Sequence, residues 1–241
     1  VFKEPDKLMS NMEKVTAFLR EKGCGERETL SLVKTRDGKA YYTDSDNNCW
    51  RMYDFIENSI CLELPESNED FYQCAVAFGR FQKFLDDFPV NELYETIPDF
   101  HNTPKRFADF IAAVERDALG RAKNVQGEIE FIKARSSFYS VLIDSERQGI
   151  LPLRVSHNDT KSNNVMLDKA TRRALCVIDL DTVMPGYSVT DFGDSIRFGA
   201  STAAEDEKDL SKVHFSLEKF KTYATGYLDG CGGMLKNSEI M

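Results

Sequence analysis

Four polar residues whose types could support chemistry fall close together in the second half of the chain. Asp159 is followed by Lys161 and Asn164, and an apolar run over residues 174–178 then leads to Asp179. Phosphoryl transfer to an alcohol needs these types, because an Asp accepts the proton of the attacking hydroxyl and a Lys neutralises charge on the phosphoryl group. An Asn and a second Asp hold magnesium on the nucleotide phosphates. The spacing predicts Asp159 and Lys161 as catalytic residues, and Asn164 and Asp179 as metal and nucleotide ligands.

A hairpin must position these residues. Asn164 lies five residues after Asp159 and Asp179 lies twenty after it, which suits a loop, a tight pair of strands and a metal ligand at the exit of the second strand. Each piece alone has an ordinary explanation, since a His-x-Asp is common in turns and an Asp after a strand often caps a helix. Their occurrence in one hairpin favours a catalytic site. We interpret His157 as support for the loop rather than as a reacting group.

A second motif competes for the metal-binding role. Residues 191–193 spell the DFG of protein kinases, but they follow a loop instead of a buried strand. We therefore assign the metal to Asp179, and we interpret Asp191 and Asp194 as acids at a helix start, where amide dipoles favour negative charge. A second interpretation places Asp194 or Arg197 at the rim of the substrate pocket.

A set of motifs between residues 153 and 200 resembles the aminoglycoside phosphotransferase and choline kinase superfamily, and is most similar to the N-acetylhexosamine 1-kinases: HNDTKSNN, VIDLDT, MPG and DFGDSIRFGA. The resemblance implies an α+β, protein-kinase-like bilobal fold. It implies transfer of the ATP γ-phosphate to the anomeric hydroxyl of N-acetylglucosamine or N-acetylgalactosamine. It also implies Asp159 as the base, Asn164 and Asp179 as magnesium ligands, and Asp181 as a further acid near the metal or the sugar.

Two lobes follow from the change of pattern along the chain. We predict a small mixed β lobe over residues 1–57 and a larger, mainly helical lobe with the catalytic hairpin over residues 58–241. The segment CWRMYDFI resembles the strand that enters the inter-lobe hinge of kinase-like folds. This would place four residues near adenine: Met52, Tyr53, Asp54 and Phe55. Core packing explains these side chains equally well, because hinge hydrogen bonds come from the backbone.

Periodicity and turn residues predict the individual elements. Apolar residues at helical spacing predict helices over residues 4–23, 67–88 and 128–148. The Asp37-Gly38 pair predicts a hairpin between a strand ending at Val33 and a returning strand that begins at Ala40. A third strand is predicted from Cys49 to Ile56, and Ser67-x-x-Asp70 predicts a capped helix start.

Composition excludes several other classes of protein. The 241 residues are 41% apolar and 29% charged with a net charge of −9, which argues against nucleic acid or an anionic membrane surface as the main partner. No apolar run approaches the roughly 18 residues that suggest a membrane-spanning helix. The six cysteines form no C-x-x-C pair and the three histidines lie far apart, which disfavours a disulfide framework or a zinc site. Reduced thiols in a cytoplasmic protein are the preferred interpretation.

Some expected kinase features are absent from the sequence. It contains neither a G-x-G-x-x-G nor a Walker loop, and no Lys in a V-A-I-K-like strand. Since the chain also begins with Val1, our hypothesis is that it is an internal fragment without the first strands of the small lobe and the last helices of the large one. We expect little turnover from it alone. Two alternatives stay open: a kinase for choline, homoserine or an aminoglycoside, and a nucleotide- or sugar-binding pseudoenzyme.

Overall fold

A computed structural model describes residues 3–240 of the chain. These residues form two compact units. The first contains residues up to 96 together with residues from 153 onward, and the second is Ile97–Pro152. The predicted lobe boundary at residue 57 stays a prediction. Over the described part of the chain, no helix is both long enough and apolar enough to cross a membrane.

The first unit begins with the amphipathic helix α1, Pro5–Glu21. Leu8, Met12, Val15 and Leu19 recur on one face and are all buried, as expected for a helix whose apolar stripe faces a core. This confirms the helix that the sequence predicts here.

Four short strands follow α1 and pair differently from the prediction. They are β1 (Leu32–Val33), β2 (Tyr42–Thr43), β3 (Cys49–Trp50) and β4 (Met52–Tyr53). A turn does form at Asp37-Gly38, but β1 pairs with β4 and β2 pairs with β3, so the predicted β1–β2 hairpin is wrong. The predicted third strand is also interrupted at Arg51, because its two halves pair with different partners.

Five further strands surround the predicted catalytic residues. They are β5 (Ser59–Cys61), β6 (Arg154–Ser156), β7 (Val165–Asp168), β8 (Ala174–Val177) and β9 (Met184–Gly186). Strands β5, β7 and β8 form an antiparallel sheet in that order, and β6 pairs with β9. The β7–β8 hairpin confirms the strand pair that the spacing predicts.

Four further α-helices belong to the first unit: α2 (Asn68–Phe84), α6 (Ser188–Gly199), α7 (Leu217–Cys231) and α8 (Asn237–Ile240). Helix α2 packs against β7 and β8, and α6 packs against β6, whereas α7 packs against α2 and α6, and α8 against α6. The predicted cap of α2 is confirmed, since the Ser67 hydroxyl accepts the Asp70 N–H at 3.1 Å. The helix ends before the predicted residue 88, where Asp86 and Asp87 follow. Acidic residues are unfavourable at the negative end of a helix dipole.

The second unit contains three α-helices over residues 97–152, which all lie in the described part of the chain: α3 (Thr103–Arg116), α4 (Gln126–Lys133) and α5 (Val141–Arg147). The single helix predicted over residues 128–148 is therefore wrong. The interruption contains Ser136, Ser137 and Ser140, and serine competes for backbone hydrogen bonds in a helix interior.

Helices α2 and α7 cross unusually closely at Gly79. A Cβ at Gly79 would lie 2.3 Å from the Tyr227 carbonyl oxygen and 2.9 Å from the Gly230 Cα. Real Cβ atoms do not approach backbone so closely, so any side chain would force the two helices apart.

We predict that Gly79→Ala lowers the free energy of unfolding by about 1–3 kcal/mol, because the extra methyl overpacks this crossing. Urea unfolding followed by circular dichroism measures the change. Gly193→Ala is the control, since its Cβ would meet nothing within 4 Å in the interior of α6, and we expect it to be neutral or slightly stabilising. Equal stability of Gly79→Ala and the parent chain would contradict the prediction.

Candidate active site

Asp159 is presented by a sharp turn after β6. The preceding Asn158 has a left-handed backbone with φ 65°, a conformation that Asn tolerates better than most residues. Its side-chain amide donates to the carbonyl oxygens of Ser156 at 3.1 Å and Thr182 at 3.0 Å. These bonds fix the turn, and the Asp159 side chain is left one third exposed, at 33%.

Asp159, Lys161 and Asn164 contact one another. The Asn164 amide nitrogen donates to the Asp159 carbonyl oxygen at 2.8 Å and lies 3.3 Å from its carboxylate Oδ2. The Lys161 Nζ lies 3.8 Å from Asp159 Oδ1. Because its amide nitrogen faces Asp159, Asn164 can offer its amide oxygen to a cation.

The hairpin register brings Asp179 to the same end as Asn164. Val165 pairs with Val177, and the Ile178 N–H donates to the Asn164 carbonyl oxygen at 2.9 Å. Asp179 follows with a left-handed backbone at φ 58°. Burial, and secondly the neighbouring Asp181, raise the pKa of the Asp179 carboxyl.

The oxygens at this end of the hairpin fit a hard divalent cation. The Asn164 amide oxygen and the Asp179 carboxylate are ligand types that magnesium uses, and magnesium is usually held by few protein ligands together with phosphate oxygens and water. Over residues 3–240, no group of three or more His, Cys, Asp or Glu side chains could hold a metal ion. The donor set therefore suits a metal shared with a bound phosphate, rather than one enclosed by protein.

His157 connects the two catalytic segments from inside the core. Its Nε2 lies 2.8 Å from the Ile178 carbonyl oxygen, and its Nδ1 accepts the Asp159 N–H at 3.3 Å. A carbonyl oxygen only accepts, so Nε2 carries the proton and the ring is neutral. Burial lowers the pKa of His157. This geometry supports the loop-bracing role inferred from the sequence.

Asp191 holds the same loop from the other side. Its carboxylate accepts the backbone N–H groups of His157 at 2.9 Å and Asn158 at 2.8 Å, together with the Gln82 amide at 3.1 Å. Burial raises the pKa of Asp191 to about 7. Its oxygens are engaged within the core, which supports the assignment of the metal to Asp179 over the DFG-like motif.

Asp194 and Arg197 form a pair at the edge of the loop. Asp194 accepts the Thr160 N–H at 3.0 Å and the Arg197 guanidinium at 2.9 and 3.1 Å. Arg197 also bonds to Glu205. Asp194 is thus bonded to protein through both oxygens, which supports a structural role, but it lies inside α6 and not at the predicted helix start, where only Asp191 falls in the first turn. The Arg197 side chain is 54% exposed, so a role at a pocket rim is open to Arg197 rather than to Asp194.

The four residues predicted to lie near adenine differ in exposure and in hydrogen bonding. The side chains of Met52 and Phe55 are mostly exposed, and the Asp54 N–H donates to the Ser31 carbonyl oxygen at 2.9 Å. Tyr53 points inward and donates its hydroxyl to the Met12 sulfur at 2.8 Å. Their role in nucleotide binding stays a prediction.

Sequence reasoning missed Arg51. Its guanidinium forms an ion pair with Asp181, two residues after the candidate metal ligand Asp179. The predicted site residue Asp181 thus lies at the catalytic end of the hairpin, where it is paired with Arg51. The available signal was the single positive charge inside the strand-like segment CWRMYDFI, which an acid elsewhere in the chain could pair with.

Comparison with known proteins identifies a family and a fold. A sequence model described as the phosphotransferase enzyme family matches residues 6–219. Among solved structures, the amicoumacin kinase hAmiN in complex with AMP-PNP, Ca2+ and Ami superposes with a TM-score of 0.56 at 12% identity, covering 93% of this chain and 62% of that one. The GDP and kanamycin complex of APH(2")-IIia gives 0.55 at 13% identity, covering 93% and 67%.

A third solved structure extends the range of named substrates. The microcompartment-associated aminopropanol kinase superposes with a TM-score of 0.54 at 14% identity, covering 97% of this chain and 67% of that one. The chain thus spans 62–67% of the length of these three structures. Identities this low show the fold, which is the α+β, protein-kinase-like fold of aminoglycoside phosphotransferases and confirms the predicted class.

We predict that the stability contributed by His157 is lost as the pH falls below 6.5. The unfolded histidine binds a proton near pH 6.5, whereas the buried ring, whose pKa is lowered, stays neutral. The unfolded state then binds more protons, and the loss is at most about 1.4 kcal/mol per pH unit down to the native pKa.

Unfolding free energies of the parent chain and His157→Gln, measured between pH 5 and 8, test this. The difference between the two profiles isolates His157, because Asp191 is present in both proteins. The raised pKa of Asp191 acts oppositely to that of His157 and removes stability as the pH rises toward about 7. His214→Gln is the control, since His214 is exposed, and we expect it to keep the parent profile. Parallel profiles for the parent and His157→Gln would contradict the prediction.

Proposed function

We propose that this chain, which belongs to the phosphotransferase enzyme family, transfers the γ-phosphoryl group of ATP to a hydroxyl of a small sugar. The observation that carries the proposal is the meeting of Asp159, Lys161, Asn164 and Asp179 at one end of the β7–β8 hairpin. These are the groups that phosphoryl transfer requires: a base, a cation and two metal-binding oxygens.

Each residue has a distinct proposed role. Asp159 orients the acceptor hydroxyl and takes its proton, and Lys161, 3.8 Å away, stabilises negative charge on the transferring group. The amide oxygen of Asn164 and the carboxylate of Asp179 would hold magnesium. When bound, that ion neutralises charge on the nucleotide phosphates.

The charge of the site favours a neutral acceptor. Asp181 is paired with Arg51, Asp194 is paired with Arg197, and Asp191 is buried against N–H donors. These acids are therefore not free to attract a polycation, because their charge is balanced locally. A sugar without positive charge suits such a site. This agrees with the resemblance of the sequence motifs to N-acetylhexosamine 1-kinases, so we propose the anomeric hydroxyl of N-acetylglucosamine or N-acetylgalactosamine as the acceptor.

A second candidate is a kinase for an amino alcohol or an aminoglycoside. Two solved structures with this fold carry the names of an aminopropanol kinase and a kanamycin complex. The net charge of −9 would also attract a cationic acceptor. The catalytic roles are unchanged in this alternative.

Removal of the base should abolish most turnover. We predict that Asp159→Asn in the complete natural chain that contains these residues lowers kcat by about 10²–10⁴-fold, because general-base catalysis contributes on that scale. ATP affinity should stay nearly unchanged, since Asp159 acts on the acceptor. Coupled ADP assays and nucleotide titration measure the two effects. Asp46→Asn, an exposed turn residue, makes the same change of charge and should have no effect. Full turnover by Asp159→Asn would refute the base assignment.

The acceptor is tested by ADP release from Mg-ATP with N-acetylglucosamine, N-acetylgalactosamine, choline, homoserine, kanamycin and 1-aminopropan-2-ol. We expect turnover on the acetylated hexosamines alone. The product should release phosphate in mild acid, because an anomeric phosphate is acid-labile and other sugar phosphates are not. Turnover only on an amino alcohol or kanamycin would favour the second candidate. Nucleotide binding without turnover on any of these acceptors would contradict both proposed acceptor classes, and would favour first a different acceptor and second a pseudoenzyme.

A further inference from the structure

Arg51 occupies the break between strands β3 and β4. Its neighbours Trp50 and Met52 are exposed, and the Arg51 side chain is partly covered, at 28% exposure. Side chains alternate along an extended chain, so Arg51 lies on the same face as Tyr53. A partly covered charge is stabilised by an oppositely charged partner.

Contacts on both sides hold the guanidinium. It forms an ion pair with Asp181, whose side chain is 22% exposed, and its central carbon lies 5.5 Å from the centre of the Tyr53 ring. Cation–π contact at this distance is attractive. The Tyr53 hydroxyl in turn donates to Met12 of α1. The Arg51 guanidinium is therefore held by Tyr53 on one side and by Asp181 on the other.

Asp181 belongs to the turn that carries the candidate metal ligand. The turn Leu180–Thr182 follows Asp179 directly, at the point where the backbone is left-handed. Its far end is held by backbone and side-chain bonds, since Thr182 donates its hydroxyl to the His157 carbonyl oxygen and accepts the Asn158 amide through its own carbonyl oxygen. The Arg51–Asp181 ion pair connects this turn to the chain between β3 and β4.

We propose that Arg51 is a positioning residue: through Asp181 it fixes the turn that presents Asp179, and thereby sets the affinity for the divalent cation. This inference rests on the proposed function, because it assumes that Asp179 binds metal. In this role Arg51 contacts neither the transferred phosphoryl group nor the acceptor hydroxyl, and it acts only through Asp181.

A positioning role and a purely electrostatic role predict opposite changes in cation affinity when Arg51 is removed. Arg51 is a positive charge near Asp179, so its loss would strengthen cation binding if charge alone mattered. If Arg51 holds the turn, its loss releases Asp179 from the binding geometry and weakens cation binding. Residues that orient a metal ligand from outside typically change affinity by about 10–100-fold when mutated.

The experiment measures Mn2+ affinity by electron paramagnetic resonance in the presence of ADP, using the complete natural chain. The variants are Arg51→Gln and Arg51→Lys, and the second keeps the charge but loses the guanidinium fork. Arg27→Gln is the matched control, because Arg27 pairs with Asp168 at 3.0 Å at the other end of β7. Affinity for metal-free ADP is measured in parallel, since a direct phosphate contact would appear there.

We expect about 10-fold weaker Mn2+ binding in Arg51→Gln, a smaller loss in Arg51→Lys, and parent affinity in Arg27→Gln. Unchanged or tighter Mn2+ binding in Arg51→Gln would overturn the positioning role. If Arg51→Gln fails to fold, Arg51→Lys decides alone, because charge by itself predicts no change in that variant. Weaker metal-free ADP binding with Mn2+ affinity intact would also overturn it. Absence of Mn2+ binding in the parent chain would instead overturn the proposed function.

Discussion

The buried carboxylate of Asp191 accepts the N–H groups of His157 and Asn158, and the shape of the catalytic loop depends on these bonds. Without them, two backbone donors would be buried unpaired, at about 1–3 kcal/mol each. Gln82 of α2 donates both to Asp191 and to the Val155 carbonyl oxygen. Two helices (α2 and α6), the strand β6 and the loop are thus held together, and the acid of the DFG-like motif has a structural role.

The second half of the site is attached to the same frame. The His157 ring spans the Asp159 N–H and the Ile178 carbonyl oxygen, and the Ile178 N–H returns to the carbonyl oxygen of Asn164. The candidate base and the candidate metal ligands are therefore linked by short bonds to backbone atoms next to them. A displacement of either segment must stretch the bonds to the other, so the reacting groups keep a common geometry.

Much of this could be read from the sequence, where the signal is local. The period of α1, the Ser67 cap and the strand pair around Asn164 follow from neighbouring residues, and their chemistry is carried by residue type. The partner of β1, the interruption of the predicted helix over 128–148 and the Arg51–Asp181 pair depend on which distant segments meet. Side-chain period alone does not contain that information. The Arg51 contact spans 130 positions of the chain.

The left-handed backbone at Asp179, with φ 58°, limits which residues evolution can place there. Glycine, asparagine and aspartate adopt this conformation at little cost, whereas other residues incur about 1–2 kcal/mol. Of those three, aspartate alone carries a negative charge. Glutamate offers the same carboxylate but the wrong backbone preference, so the usual Asp–Glu exchange is not a neutral step. The backbone conformation and the need for a negative charge together favour aspartate at position 179, so every single substitution there loses one of the two properties.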